Sequence, residues 1–201
     1  MSIVIEHDRR RSEILEKALD VFMDEGFEDV TFQKIADRCG ITRTTLYIYF
    51  KNKREIFNFS IKQFLQSLEN DISEVRKKEG FSQTEKLIQV MEVIIERMEE
   101  NRRILMVVFD YVIFASRGDF DPDYRVRRRT VRLRHILATM LIQGIKAGDF
   151  DRSINVKEAN ELLYSILEAA AFRLVILRRS RVDELKEAMR LAVRRFRAGQ
   201  V

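Results

Sequence analysis

The sequence predicts an all-α fold, and three observations carry that expectation. Only one Pro interrupts 201 residues, and Pro is the residue that removes a helical hydrogen bond and clashes with the preceding turn. Six of the seven Gly residues (Gly26, Gly40, Gly80, Gly118, Gly148 and Gly199) stand where an apolar helical pattern stops. Gly takes the left-handed conformation after a helix without a Cβ clash. Apolar residues recur at three- and four-residue steps, and no period-two alternation stands out. A hydrophobic fraction of 46 % makes the chain globular, and 34 % charged residues suit many helices that each show one face to water.

The first helix is expected over 8–25, with Ile14, Ala18, Val21 and Phe22 on its apolar stripe. A short helix follows over 31–38. Thr31 is its N-cap, and Val30 with Ile35 forms a hydrophobic staple. Gly40 makes a turn, and a third helix runs from Thr42 to near Phe50, with Ile41 and Leu46 spaced as a second staple. Asn52 caps a fourth helix, with Glu55 three residues on in a capping-box arrangement; Ile56, Phe57, Ile61, Phe64, Leu65, Leu68, Ile72 and Val75 give it a long stripe. Further helices are expected over 82–100, 102–116, 122–147, 156–179 and 183–197. In the third of these, Asp121 caps and Pro122 opens the helix, and Val126, Thr130, Leu133, Leu137 and Met140 step by three and four. Residues 162–177 are apolar nearly all round, so that helix must be buried on most sides, in a core or at a subunit interface. The expected organisation is a helical module over 1–54 and a larger helical domain over 55–201.

Charge is unevenly spread. Residues 1–30 hold four Arg or Lys against nine Asp or Glu, and residues 31–54 hold six against one. A basic module after an acidic helix is the pattern of a local phosphate-facing surface. Cys39 is the single cysteine, so no internal disulfide forms, which fits a reducing cytoplasm. Residues 3–5 are too short an apolar run for a signal-peptide core, and residues 104–115, broken by Asp110, are too short to span a bilayer. No membrane association is expected.

The informative segment is residues 30–53, VTFQKIADRCGITRTTLYIYFKNK. Ile35 and Ala36 face inward, Gly40 turns the chain, Ile41 plugs the core and Leu46 anchors the next helix. This is helix-turn-helix packing, whose second helix enters the major groove. That helix presents Thr42, Arg43, Thr44, Thr45, Tyr47 and Tyr49, which hydrogen-bond to phosphates and base edges. Arg43 is the candidate for bidentate contact with guanine. Thr45, Tyr47 and Lys53 are candidate phosphate contacts, Lys53 also lying in the first turn of the next helix. Thr31 and Gln33, on the first helix of the pair, complete the candidate DNA-binding set.

This segment resembles the DNA-binding domain of the TetR family of bacterial regulators. The resemblance rests on an acidic first helix ending in Gly26-Phe27, then Thr31, Ile35-Ala36, Gly40 and the run from Thr45 through Leu46, Tyr47, Ile48, Tyr49, Phe50, Lys51 and Asn52 to Lys53. It covers about the first quarter of the chain. In the family pattern two adjacent aromatics follow the Thr-Leu pair; here Ile48 replaces the second, and Tyr49 stands where a His is common. The resemblance implies a homodimeric regulator, most often a repressor, bound to a palindromic double-stranded operator. The last two long helices, 156–179 and 183–197 here, would pair with those of a second copy in a four-helix bundle. A small, largely apolar molecule would bind the C-terminal domain and change the spacing of the two reading heads. Leu185, Met189, Ala192 and Phe196 give the last helix an apolar stripe suited to dimerisation.

Effector candidates are Tyr111 and Phe114, His135, and Tyr164 with Glu168, which share a helix face at i,i+4. Tyr164 and Glu168 suit inter-subunit hydrogen bonds or a solvent edge equally. The run over 125–134 holds six arginines and no acid. It reads as a second anionic-ligand surface or, preferably, as a solvated face paired with Glu92, Glu96, Glu99 and Glu100. Asp119, Asp121 and Asp123 begin like a calcium loop, but Tyr124 and Thr130 stand where Gly and Glu are needed. His7 and His135 show no ligand spacing, so neither a metal nor a cofactor is expected. An all-helical enzyme with an apolar pocket finds no nucleophile–base pair, phosphate loop or metal spacing in its support. A helical adaptor binding protein through 162–177 predicts no salt-dependent DNA affinity.

Overall fold

The computed structural model describes the backbone over 2–116, 123–178 and 181–199, and side chains over 6–114, 131–178 and 181–199. Among the described residues it forms nine helices: α1 (Ser2–Asp29), α2 (Phe32–Cys39), α3 (Arg43–Tyr49), α4 (Lys53–Lys77), α5 (Gln83–Glu100), α6 (Arg102–Ser116), α7 (Asp123–Ala147), α8 (Val156–Val175) and α9 (Asp183–Arg194). The extended pairing among these residues is an isolated bridge between Phe150 and Arg197. Gly118, Asp121 and Pro122, expected to end one helix and open the next, lie outside the described residues, as do the side chains of Val126 and Thr130.

The expected cap at Thr31 forms, and Thr42 and Ser82 add caps of their own. Thr31 caps α2, its Oγ1 accepting from Lys34 N at 3.2 Å, and Thr42 caps α3, accepting from Thr45 N at 3.0 Å. Ser82 and Glu85 form a complete capping box on α5. At α4 half of the expected box forms: Asn52 Oδ1 accepts from Glu55 N at 2.9 Å, but the Glu55 carboxylate reaches past the cap and accepts from Lys51 N at 2.6 Å. α1 runs longer than its apolar stripe at both ends and is interrupted at Gly26, where φ is 79° and ψ is 166°.

The chain divides into two compact units, residues 1–67 with 103–120, and residues 68–102 with 121–201. The core of the first unit joins Ile14, Ala18, Val21 and Phe22 of α1 to Ile35 and Ala36 of α2, Leu46 of α3, Ile56, Phe57 and Ile61 of α4, and Ile104 and Val107 of α6. In the second unit α5 packs against α7, α8 and α9. Among the described residues, the acids of α5 find partners other than the arginines of α7. Glu92 pairs with Arg190 of α9 at 2.5 Å, Glu99 with Lys186 of α9 at 2.5 Å, and Glu100 with Arg97 at 3.1 Å. The arginines of α7 whose side chains are described find other acids: Arg132 pairs with Glu69 at 2.8 Å, and Arg134 with Glu161. Sequence spacing names the charged face of a helix but not which neighbour it meets.

Candidate nucleic-acid interface

α2, the turn at Gly40 and α3 build the helix-turn-helix. Gly40 sits at φ 68° and ψ 35°, a left-handed conformation that disfavours a Cβ. Its amide donates to Ala36 O and Asp37 O, and the Ile41 amide also donates to Ala36 O at 3.1 Å. The carbonyls that α2 leaves open are thereby closed. Val30, Ile35 and Leu46 are buried and Ile41 is half-buried, so both staples pack.

The packing sorts the faces of α3. Leu46 is fully buried and fixes the inner line of the helix. Arg43, Thr44, Tyr47 and Ile48 are exposed, while Thr45 and Tyr49 are half-buried. Arg43 Nη2 donates to the Tyr47 hydroxyl at 3.2 Å, and the Tyr47 ring lies 4.5 Å from the Phe32 ring. The Thr42 and Thr45 hydroxyls share a hydrogen bond at 2.8 Å. The Tyr49 ring stacks on His7 at 4.7 Å and packs against the core of the unit. On α2, Gln33 is exposed and its Nε2 donates to Asp37 at 2.7 Å. The candidate residues thus share one surface: α3 carries Arg43, Thr44, Thr45, Tyr47 and Tyr49, with Thr42 at its cap and Thr31 and Gln33 at the start of α2.

Lys53 is a correction. Its ammonium donates to Phe27 O at 2.9 Å, Glu28 O at 2.7 Å and Val30 O at 2.8 Å. An ammonium has three N–H donors, so a phosphate contact would break a bond already made. Burial pushes its pKa below the usual lysine range, while Glu28 and Asp29 oppose that shift. Lys53 is a tie between α4 and the end of α1. The same segment is held from its amide side, where Phe27 N donates to Asp110 Oδ2 at 2.8 Å. Sequence spacing gave no signal for Asp110, which is 83 residues away.

The basic excess of residues 31–54 is likewise smaller at the surface than the count implies. Lys34 pairs with Glu25, and Arg38 with Asp24 at 3.0 Å. Hydrogen bonds from Arg38 and then Arg103 hold the Asp24 carboxyl below its ordinary pKa. The acidic first helix therefore neutralises the cations of α2, and Arg43 is the guanidinium that α3 carries to the outer face.

The effector candidates fall in both units. Tyr111 packs at 4.7 Å against Phe27 and Phe57, and Phe114 at 5.4 Å against Phe27, inside the aromatic cluster of the first unit. In the second unit, the Tyr164 ring lies 3.9 Å under the Arg134 guanidinium, and His135 and Glu168 are exposed. The cavity described in that unit has a volume of about 450 Å³ and is lined by Arg76, Gln83, Lys86, Gln143, Lys146 and Ala147, none of them a candidate.

The residues of the expected dimerisation stripe divide between buried and half-buried. Leu185 and Met189 are buried within the subunit, on the helix that packs against α5. Ala192 is half-buried, and Phe196 lies edge-on to Phe150 at 6.2 Å. The stripe serves the core of its own chain. An amphipathic pattern shows that a face is buried but not by which chain.

A compact three-helix head with a stapled turn and a hydrogen-bonding second helix on its surface defines a helix-turn-helix DNA-binding regulator. Residues 14–58 match the model of the bacterial regulatory proteins of the tetR family. That segment carries the family's DNA-binding domain, and the fatty acid metabolism regulator is among the curated proteins the chain resembles. The fatty acid metabolism regulator protein of Bacillus subtilis is 23 % identical over 160 residues, 78 % of each chain. In fold the chain resembles a TetR transcription regulator from Haloarcula marismortui, at a TM-score of 0.79, 20 % identity and coverage of 94 % of this chain and 97 % of that one. It also resembles the Bacillus subtilis regulator FadR solved with stearoyl-CoA, at a TM-score of 0.73, 18 % identity and coverage of 94 % and 99 %. Among the described residues no helix is long and apolar enough to cross a membrane.

Proposed function

We propose that this protein is a cytoplasmic repressor that binds a palindromic operator as a homodimer and is released by a small, largely apolar molecule. The observation that carries DNA reading is the outer face of α3, which gathers hydroxyls, a phenol and a guanidinium on a helix anchored by buried Leu46. Such groups hydrogen-bond to phosphates and base edges in the major groove. The functional reading head is proposed as residues 1–54 and the effector and dimerisation domain as 55–201. The head lies inside the first compact unit, which also takes in α4 up to residue 67 and residues 103–120.

For the effector, the support is the relatives: one is named for fatty acid metabolism and one was solved with stearoyl-CoA. An acyl-bearing molecule is therefore the class to try first. For the dimer, the support is an unfilled apolar face on α8. Its buried line is Ala159, Leu163, Leu167, Ala170 and Leu174. A second line, Leu162, Ser165, Ala169, Phe172 and Ile176, steps by three and four along the helix. In it Leu162, Phe172 and Ile176 are 46 %, 48 % and 50 % exposed. This spacing is that of a coiled-coil seam, and the small Ser165 and Ala169 let a second helix approach. It replaces the α9 stripe as the proposed dimer face.

The test is selection of an operator from a random duplex pool, followed by anisotropy titration over a salt series. The expected outcome is a palindrome with a steep salt slope, weakened when stearoyl-CoA is added. Arg43→Ala should cost about 1–3 kcal/mol and relax preference at one base pair. Equal losses on every sequence would place Arg43 on phosphate alone. Selection of no sequence at all would remove the DNA-reading function.

A further inference from the structure

We propose that Ile48 is a specificity residue that reads the C5-methyl group of a thymine in the major groove; the inference rests on the DNA-binding reading above. Ile48 is 70 % exposed, the highest exposure among the described large hydrophobic residues. A single exposed apolar side chain is ordinary on a protein surface. The position of this one is not ordinary.

Ile48 and Thr44 each stand two residues from Leu46, which puts them about 160° around the helix from the buried line. They form the outermost edge of α3. The polar candidates lie on the two flanks. On one flank Arg43 and Tyr47 hold each other and Tyr47 rests on Phe32; on the other, Thr45 bonds Thr42 and Tyr49 stacks on His7. A helix seated in the groove with Leu46 facing the protein sets its outer edge deepest against the base pairs, while the flanks approach from either side, where the long Arg43 side chain still reaches a base edge. The groove offers one apolar feature at that depth, the thymine methyl; its other base-edge groups are hydrogen-bond donors and acceptors.

An isoleucine there makes no hydrogen bond, so it leaves those donors and acceptors unpaired unless a methyl fills the contact. It therefore favours thymine and disfavours the other bases by leaving their polar groups unsatisfied. Its β-branched side chain holds essentially one χ1 rotamer in a helix, so little rotamer freedom is lost on contact. The neighbouring Thr44 hydroxyl, four residues earlier on the same edge, can pair with the adjacent base without competing for the methyl.

The experiment uses the full-length chain and its selected operator, with each thymine replaced in turn by deoxyuridine, which removes the methyl and leaves the pairing edge intact. Wild type should lose about fourfold in affinity for each critical methyl, the equivalent of one buried methyl-sized group. Ile48→Ala should bind the thymine operator as weakly as wild type binds the deoxyuridine one, and should lose nothing further on that substitution. Arg43→Ala should keep the thymine sensitivity. Melting curves for Ile48→Ala matching wild type confirm an intact head. Indifference of wild type to every deoxyuridine substitution, on an operator it does select, overturns the role of Ile48 and leaves the DNA-binding reading standing. Full methyl sensitivity retained by Ile48→Ala overturns it as well and moves the contact to another side chain. Failure to select any operator overturns both.

Discussion

Lys53 has three ammonium protons, and the structure gives each one a backbone carbonyl at the end of α1. Hydrogen bonds to a charged group are each worth about 1.5–3 kcal/mol, and part of that is recovered as water replaces the lost partner. Lys53→Met should therefore lower unfolding stability by about 2–3 kcal/mol in urea titration. It should leave the salt slope of DNA binding unchanged, because no phosphate contact is lost. A slope reduced by about one would restore the phosphate role expected from the sequence. Asp24 carries a pH dependence. Its carboxyl is held below the ordinary value of 3.8 by Arg38 and Arg103, so the folded state binds its proton less readily than the unfolded chain. Its contribution is complete above the unfolded pKa and is lost as pH falls through the folded one. Wild type should lose its stability advantage over Asp24→Asn as pH drops below about 4. An advantage constant with pH in acid unfolding would show that the two arginines do not act through this carboxylate. Gly144 makes a steric case. A Cβ there would stand 2.1 Å from Phe150 Cδ2, and Phe150 is fully buried. Gly144→Ala should gain up to about 1 kcal/mol of helix propensity but cost about 1–3 kcal/mol in overpacking. The net thermal shift should be downward, and an upward shift would mean that Phe150 re-packs freely.

At the scale of the helix, the legible features were those whose cause is local. Thr31 forms its expected cap because a cap depends on three or four consecutive residues. The turn at Gly40 forms because the left-handed conformation, Val30–Ile35 and Ile41–Leu46 all sit within seventeen residues. The exposed face of α3 was legible for the same reason, since Leu46 settles which line is buried and the rest follows by period. What was not legible depends on a partner far along the chain. Lys53 looked like an exposed cation in a first helical turn, and only the arrival of residues 27–30 beside it changes its role. Tyr111 and Phe114 looked like pocket linings on an apolar helix, yet they close over Phe27. Glu92 and Glu99 of α5 had plausible partners on α7, but among the described residues Arg190 and Lys186 of α9 pair with them. On the stripe of α9, Leu185 and Met189 are buried within their own chain, and periodicity carries no information about which molecule supplies the other side.

At the scale of the whole molecule, the proposed dimer rests on α8. A helix apolar nearly all round needs burial on most of its circumference, and the single chain covers one side only. Leu162, Phe172 and Ile176 remain open, followed by Leu177 beyond the helix end, 53 % exposed, and Leu191 on α9, 61 % exposed. A reader of a palindrome needs two heads held at fixed separation, so the face that joins two copies also sets affinity for the operator. Phe172→Asp places a charge at the centre of that face and leaves the buried line of Leu163, Leu167 and Leu174 untouched. A central aromatic contact is commonly worth 2 kcal/mol or more, so the dimer should weaken by about thirtyfold or beyond. Sedimentation should show a folded monomer, and DNA titration should show half-site binding with a shallower salt slope. Phe196→Asp is the contrasting variant, because Phe196 packs on Phe150 within the chain. It should lower the melting temperature, with any loss of dimer following from unfolding. A stable Phe172→Asp dimer would put the interface elsewhere. A stable, monomeric Phe196→Asp chain would return it to the end of α9.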